Sequence, residues 1–271
     1  MSIDQVRSYF GFSKMPFGKA LAASALYKSA GHREAVARVS FLVSEAAIGV
    51  VTGEVGSGKT VAARAAVAEL EPSRHSVVYL PNPAVGARGL YAELVARLGA
   101  EPCFHKAALI AQATRLLAAE AAERGRRPVV IVDEAHLLDS SQLEELRLLT
   151  SSEMDSSDQF ALVLLGQPLL RARLRLGSFA ALDQRLALRY VVPPMSAEET
   201  AGYISHHLAL VGRSDTVFSQ DAVERVHQAS RGLPRAVNNL ARQGLVAAFA
   251  NKAAIVDDKA ARSAVTEADA E

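Results

Sequence analysis

Apolar positions fall into two regimes along this chain. Between residues 48 and 192, five short runs rich in β-branched residues stand out, at 48–51, 76–80, 129–132, 160–165 and 188–192. Each is nearly continuous in apolar residues, the pattern of strands covered on both faces. Helical spacing fills the gaps between them. An Ala-rich stretch, 61–70, ends just before Pro72. The next, 90–98, has apolar residues at 90, 94, 95 and 98 and stops at Gly99, a residue suited to the position after a helix end. Further helices are predicted over 107–122 and 142–150. Strands alternating with helices imply a parallel sheet flanked by helices.

After Val192 the pattern changes. Pro193-Pro194 cannot continue a central strand and marks a boundary. Ser196 with Glu199 forms a capping box and opens a helix to about residue 211. Ser219 is placed to cap another, to about residue 230. Pro234 starts a third, through about residue 250, and Asp257 opens a last one. The predicted organisation is an N-terminal arm at 1–25, an α/β domain at 26–193 and a helical domain at 194–271. Met15-Pro16-Phe17 in the arm is apolar enough to cover either a neighbouring subunit or the chain's own sheet.

Composition narrows the function classes. The chain has 271 residues, 50% apolar and 22% charged, enough for a large core and too apolar for wholesale disorder. Lys+Arg number 30 and Asp+Glu 29, a formal net charge of +1, so a strongly basic nucleic-acid coat is excluded while a local patch is not. The single cysteine, Cys103, excludes an intramolecular disulfide and a cysteine zinc cluster. The first ten residues carry Asp4 and Arg7 and lack a secretory apolar core, and no apolar run is long enough to span a bilayer. The expected location is cytoplasmic, without a membrane partner.

The chemistry concentrates at strand ends. Gly53-Glu54-Val55-Gly56-Ser57-Gly58-Lys59-Thr60 fits G-x-x-x-x-G-K-[ST], with a predicted strand running in and a helix, opening near Val61, running out. Its glycines let backbone N–H groups wrap phosphates, and the helix N-terminus adds its dipole. In this pattern Lys59 reaches the β- and γ-phosphates of ATP and Thr60 holds Mg2+. The run 129–132 ends in Asp133-Glu134-Ala135-His136. Asp133 suits the Mg2+ site, and Glu134 is placed to polarise a water for attack. His136 reads as structural or as a secondary contact. Gln167, at the tip of the next strand, is a candidate to bond the γ-phosphate or the water. Arg185 precedes the fifth strand at the sheet rim, where it can act as an arginine finger, with Arg189 the alternative. Arg235 follows Pro234 in the first turn of a helix, where a cation opposes the helix dipole unless it faces an anion.

These residues together resemble an AAA+ ATPase. The resemblance runs roughly over residues 25–250 and implies a P-loop NTPase with a five-stranded parallel sheet in the order 5-1-4-3-2, followed by a small all-helical lid. It implies Glu134 as catalytic base, Arg185 acting in trans within a homo-oligomer, ring or helical filament, and Arg235 as lid sensor. Tyr27 and His32 would lie near the adenine. More closely, Phe12, Pro16-Phe17, Asp133-Glu134-Ala135-His136-Leu137-Leu138, Gly166-Gln167-Pro168, Gln184-Arg185 and Arg231-Gly232-Leu233-Pro234-Arg235 with Asn238-Asn239-Leu240 are similar to general-secretion A-type ATPases and to the ATPase subunits that accompany DDE transposases.

Between those branches the expectation is a regulator of DNA transposition. It would assemble on double-stranded DNA with ATP, recruit or activate a transposase, and disassemble on hydrolysis. The chain shows an ATPase and lid with nothing appended, whereas the secretion branch typically adds a membrane helix and a peptidoglycan-binding region. No element reads base sequence, which suits contacts to the DNA backbone alone, with Arg88, Lys106, Arg74 and Arg97 as candidates. The cluster Arg171, Arg173 and Arg175 is assigned to a subunit interface. The alternatives are an ATPase of a secretion or envelope assembly system, or a nucleotide-gated protein-binding switch without DNA.

Overall fold

A computed structural model describes residues 2–18, 21–150 and 160–269. In chain order the helices and strands are α1 (Ile3–Tyr9), α2 (Ala30–Ser44), β1 (Ile48–Thr52), α3 (Lys59–Ala68), β2 (His75–Leu80), α4 (Gly86–Arg97), α5 (Lys106–Ala122), β3 (Arg127–Val132), α6 (Ser140–Leu149), β4 (Ala161–Gly166), α7 (Pro168–Leu174), α8 (Ala180–Arg185), β5 (Leu186–Val191), α9 (Ala197–Ala209), α10 (Gln220–Ser230), α11 (Pro234–Ala250) and α12 (Asp258–Asp269). They form two compact units, one of Glu34–Glu54 and Lys59–Val192, the other of Met1–Arg33, Val55–Gly58 and Pro193–Glu271.

The first of these units is the predicted parallel sheet, in the order β2-β3-β4-β1-β5. Its order is the expected one, and every paired strand is parallel. Side chains alternate across a strand, so a continuous apolar run feeds two cores at once. Val130, Val132, Leu162 and Leu164 pack with α4, α5 and α6 on one face, whereas Val129, Ile131, Val163 and Leu165 pack with α2 and α3 on the other. Full burial of each such side chain contributes roughly 1.5–3 kcal/mol. The central strands β1 and β4 are buried throughout. The edge strands depart from the expectation. β5 alternates between partly covered and exposed positions after a buried Leu186, where it starts rather than at 188, and β2 is only partly covered. An edge strand has a neighbour on one side only, so half-burial is sufficient there.

The second unit is helical. Ser196 accepts the Glu199 N–H and Glu199 returns a bond to the Ser196 N–H, completing the capping box. Ser219 accepts the Ala222 N–H, and Pro234 opens α11. Arg231 and Gly232 reverse the chain between α10 and α11 with φ of 52° and 70°. A Cβ at residue 232 would lie 2.1 Å from the Met195 carbonyl oxygen, so the glycine is required for space as well as for φ. The N-terminal segment expected as an arm for a subunit or a sheet instead packs here. Val6, Phe10, Phe12 and Phe17 are buried in the helical core with Ile204, Leu208, Val211 and Phe218. Ser2 and Gln5 cap α1 reciprocally.

His207 lies inside this core, its ring stacked 5.2 Å from that of Phe17. Burial, then the neighbouring His206, lowers its pKa to about 4. An unfolded histidine titrates near 6.5, so the unfolded chain takes up the proton first. The contribution of His207 to stability is full above pH ~6.5 and is lost as pH falls towards about 4. His207→Gln is therefore expected to flatten the fall of the thermal midpoint across that window, measured against the wild-type protein from pH 7 to pH 4.

Candidate active site

Strand β1 delivers the chain into the phosphate-loop sequence at Gly53, whose N–H bonds the Gly166 carbonyl at the end of β4. Gly56 and Gly58 have φ of 81° and 93°, conformations that few other residues adopt. A Cβ on Gly58 would meet nothing within 4 Å, so space lies open beside the backbone there. The Ser57 hydroxyl is buried with no hydrogen-bond partner. An orphaned hydroxyl and glycine-lined space are what a phosphate group needs from this loop. Lys59, the first residue of α3, is buried, and its ammonium donates to the Gly53 and Glu54 carbonyls at 2.9 Å each. Val61 follows in the first turn of α3, and Glu54 and Val55 are exposed on the loop.

The acidic pair sits at the end of β3. Asp133 is buried at 5% exposure and accepts three hydrogen bonds. Its Oδ2 accepts from the Thr60 hydroxyl and from the Tyr79 hydroxyl, each at 2.8 Å, and its Oδ1 accepts the Glu134 N–H at 2.8 Å. Thr60 and Asp133, predicted separately as Mg2+ residues, are thus in direct contact. A hydroxyl and a carboxylate are hard oxygen donors of the kind Mg2+ takes beside substrate phosphates, so the residues fit the ion. Tyr79 was invisible to motif reading. The only signal was a tyrosine hydroxyl in strand β2, one position before its end. Burial, then the Asp133 bond, raises its pKa, so it stays a donor.

Glu134 turns out of the strand with φ 49° and ψ 34°, the left-handed region. Its side chain is 49% exposed, which presents a carboxylate to solvent beside Asp133. Gln167 follows the last residue of β4 and stands at the N-cap of α7, and β4 lies between β3 and β1, so its position is beside the acidic tip and the loop entry.

The arginines divide. The Arg185 guanidinium donates to the Thr150 carbonyl at 3.2 Å, and Arg189 is ion-paired with Asp183. Arg173, grouped by sequence with a subunit interface, donates to the His136 and Leu138 carbonyls at 3.0 and 2.7 Å. That places it inside its own unit. In the helical unit the Arg235 N–H bonds the Gly56 carbonyl at 3.3 Å, and a Cβ on Gly56 would lie 2.6 Å from the Arg235 Cβ. Tyr27 packs edge-on to Tyr203, and burial, then Glu199, raises its pKa. His32 is half-buried, and burial, then Lys28, lowers its pKa.

The four basic residues offered to DNA all have partners. Lys106 pairs with Glu145, Arg74 with Glu71 and Arg97 with Glu93. Arg88 bonds the Phe104 carbonyl and stands over its ring. No described helix is long and apolar enough to cross a membrane.

Comparison with known proteins agrees with this geometry. Residues 42–174 match the family described as AAA domain. General secretion pathway protein A of Aeromonas hydrophila is 36% identical over 248 residues, 89% of this chain. The chain spans 44% of that relative's length, so its own size carries no weight between the secretion and transposition branches. Solved structures similar in fold include the Aeropyrum pernix ORC1 protein in complex with DNA, with TM-score 0.69 and 15% identity over 90% of this chain and 66% of that one. The Thermotoga maritima RuvB Holliday junction branch migration motor has TM-score 0.57 and 19% identity over 86% of this chain and 68% of that one. At these identities the structures establish the fold alone. Parallel sheet, phosphate loop and acidic strand tip together accord with the AAA-domain match over residues 42–174, and the chain has the AAA+ fold.

Proposed function

We propose that the chain is a Mg2+-dependent ATPase whose nucleotide cycle drives a protein-assembly step of the secretion-pathway type. The observation that carries the assembly reading is the 36% identity to general secretion pathway protein A, which extends over 248 residues and so beyond the AAA domain. Lys59, Ser57 and the loop N–H groups bind the phosphates. Thr60 and Asp133 hold Mg2+, which supplies positive charge against the phosphate oxygens when bound. Glu134 takes the proton of the attacking water, and Gln167 orients that water or the γ-phosphate. Arg185, released from its backbone contact, serves a neighbouring copy as a trans finger, and Arg235 reports the nucleotide to the helical unit. Tyr27 and His32 are assigned to the adenine end.

Duplex DNA is not needed in this reading. Three of its four candidate contacts already have a carboxylate partner, so their charge is balanced locally. The experiment is the ATPase rate with and without duplex DNA at low and moderate salt, with gel retardation of the same duplex by Glu134→Gln protein and ATP. An unchanged rate and no retardation are expected. Stimulation by DNA together with ATP-dependent retardation would overturn the assembly reading in favour of the transposition regulator.

A further inference from the structure

The chain must hold Glu134 in a position that its own backbone does not favour. A non-glycine residue at φ 49° costs about 1–2 kcal/mol. The half-exposed carboxylate beyond it has three rotatable bonds and loses rotamer entropy when it is fixed on a water. Three contacts around this turn are not explained by the residue roles above. First, the Arg173 guanidinium spans the turn, donating to the carbonyls of His136 and Leu138. One nitrogen, Nη1, makes both bonds and so ties the two carbonyls together. Second, Gly166 on β4 lies so close that an added Cβ would be 3.2 Å from the His136 N atom. The backbone of the turn is thus held from two sides. Third, the His136 side chain is only 10% exposed and its Nδ1 lies 3.4 Å from Glu134 Oε2. That nitrogen is buried and makes no hydrogen bond. A buried polar atom without a partner is uncommon, and this one faces a carboxylate.

We propose that His136 is a positioning residue for Glu134: its Nδ1–H engages Oε2, leaving Oε1 for the attacking water, while Arg173 fixes the turn that carries both. The consequence for turnover rests on the ATPase reading above; the contact itself does not. A separation of 3.4 Å is long for a hydrogen bond, and a small side-chain rotation closes it. Contacts at catalytic bases are often loose without substrate and tighten when it binds. With one oxygen engaged, the base meets the water in one orientation. Glu134 then accepts the proton as the water oxygen bonds the γ-phosphorus and the β–γ bridging bond breaks, its electron pair leaving with ADP. His136 touches neither the water nor the phosphate.

Two measurements test this. In protein with 15N-labelled imidazoles, without nucleotide, the His136 signals are identified by their absence in His136→Asn. Glu134→Gln is expected to shift the Nδ1 signal, and an unmoved signal would overturn the contact. In steady-state kinetics, His136→Phe is expected to lower kcat about 10- to 100-fold with KM for ATP nearly unchanged, the effect of a misplaced rather than a missing base. His136→Asn, whose amide nitrogen can stand near the position of Nδ1, is expected to recover most of that loss. Wild-type kcat in His136→Phe, or no recovery by Asn, would overturn the positioning role. A wild-type protein that does not hydrolyse ATP would instead overturn the ATPase reading, and the spectroscopic arm still decides the contact.

Discussion

Glu134→Gln is expected to lower kcat for ATP hydrolysis by about 100- to 10,000-fold while leaving nucleotide affinity close to wild type. Gln keeps the size and most of the shape of the side chain but cannot accept the proton of the water. The buried cluster beside it does not depend on the carboxylate. Asp133 keeps its bonds to Thr60 and Tyr79 and still accepts the N–H of residue 134, which comes from the backbone. Binding and hydrolysis therefore separate at this position. Titration with a fluorescent ATP analogue, alongside phosphate release, checks both halves. A variant that loses affinity in parallel with turnover would show that Glu134 shapes the binding site instead.

Lys59→Ala should have the opposite signature, with binding itself weakened. The Lys59 ammonium is buried at 8% exposure and donates to the Gly53 and Glu54 carbonyls at 2.9 Å. These bonds tie the start of α3 to the start of the loop. A phosphate oxygen offers the ammonium a charged acceptor in the same place. Charge-assisted hydrogen bonds contribute about 1.5–3 kcal/mol each, so deletion is expected to weaken ATP binding about 10- to 100-fold, with turnover falling at least as far. Calorimetric titration with ATP and Mg2+ measures this. Affinity within about twofold of wild type would remove Lys59 from the phosphate site.

Much of this site was legible because its residues lie on strand ends and follow fixed spacings. Residues 53–60 and 133–134 were read correctly as neighbours of strands because 48–51 and 129–132 are continuous apolar runs, and such runs occur where both faces are covered. The sheet order came from the family resemblance, since local pattern does not specify which strands pair. Tyr79 and Arg173 were missed for a related reason. Tyr79 bonds a residue 54 positions away, and Arg173 bonds one 37 positions away, so neither contact leaves a periodic trace. Arg173 also sits among alternating arginines at 171, 173 and 175, where sequence gives no sign that one turns inward and its neighbours stay exposed. In the N-terminal segment the Ser2–Gln5 capping signal was present, but the aromatic residues 10, 12 and 17 have no helical period and gave no indication of which core they enter.

The measurement that bears most directly on the whole account is phosphate release from ATP by the wild-type and Glu134→Gln proteins, with and without Mg2+. Steady phosphate release by the wild type that requires Mg2+ is expected, with release by the variant lower by about 100- to 10,000-fold. Equal turnover by the two proteins, or turnover indifferent to Mg2+, would contradict it.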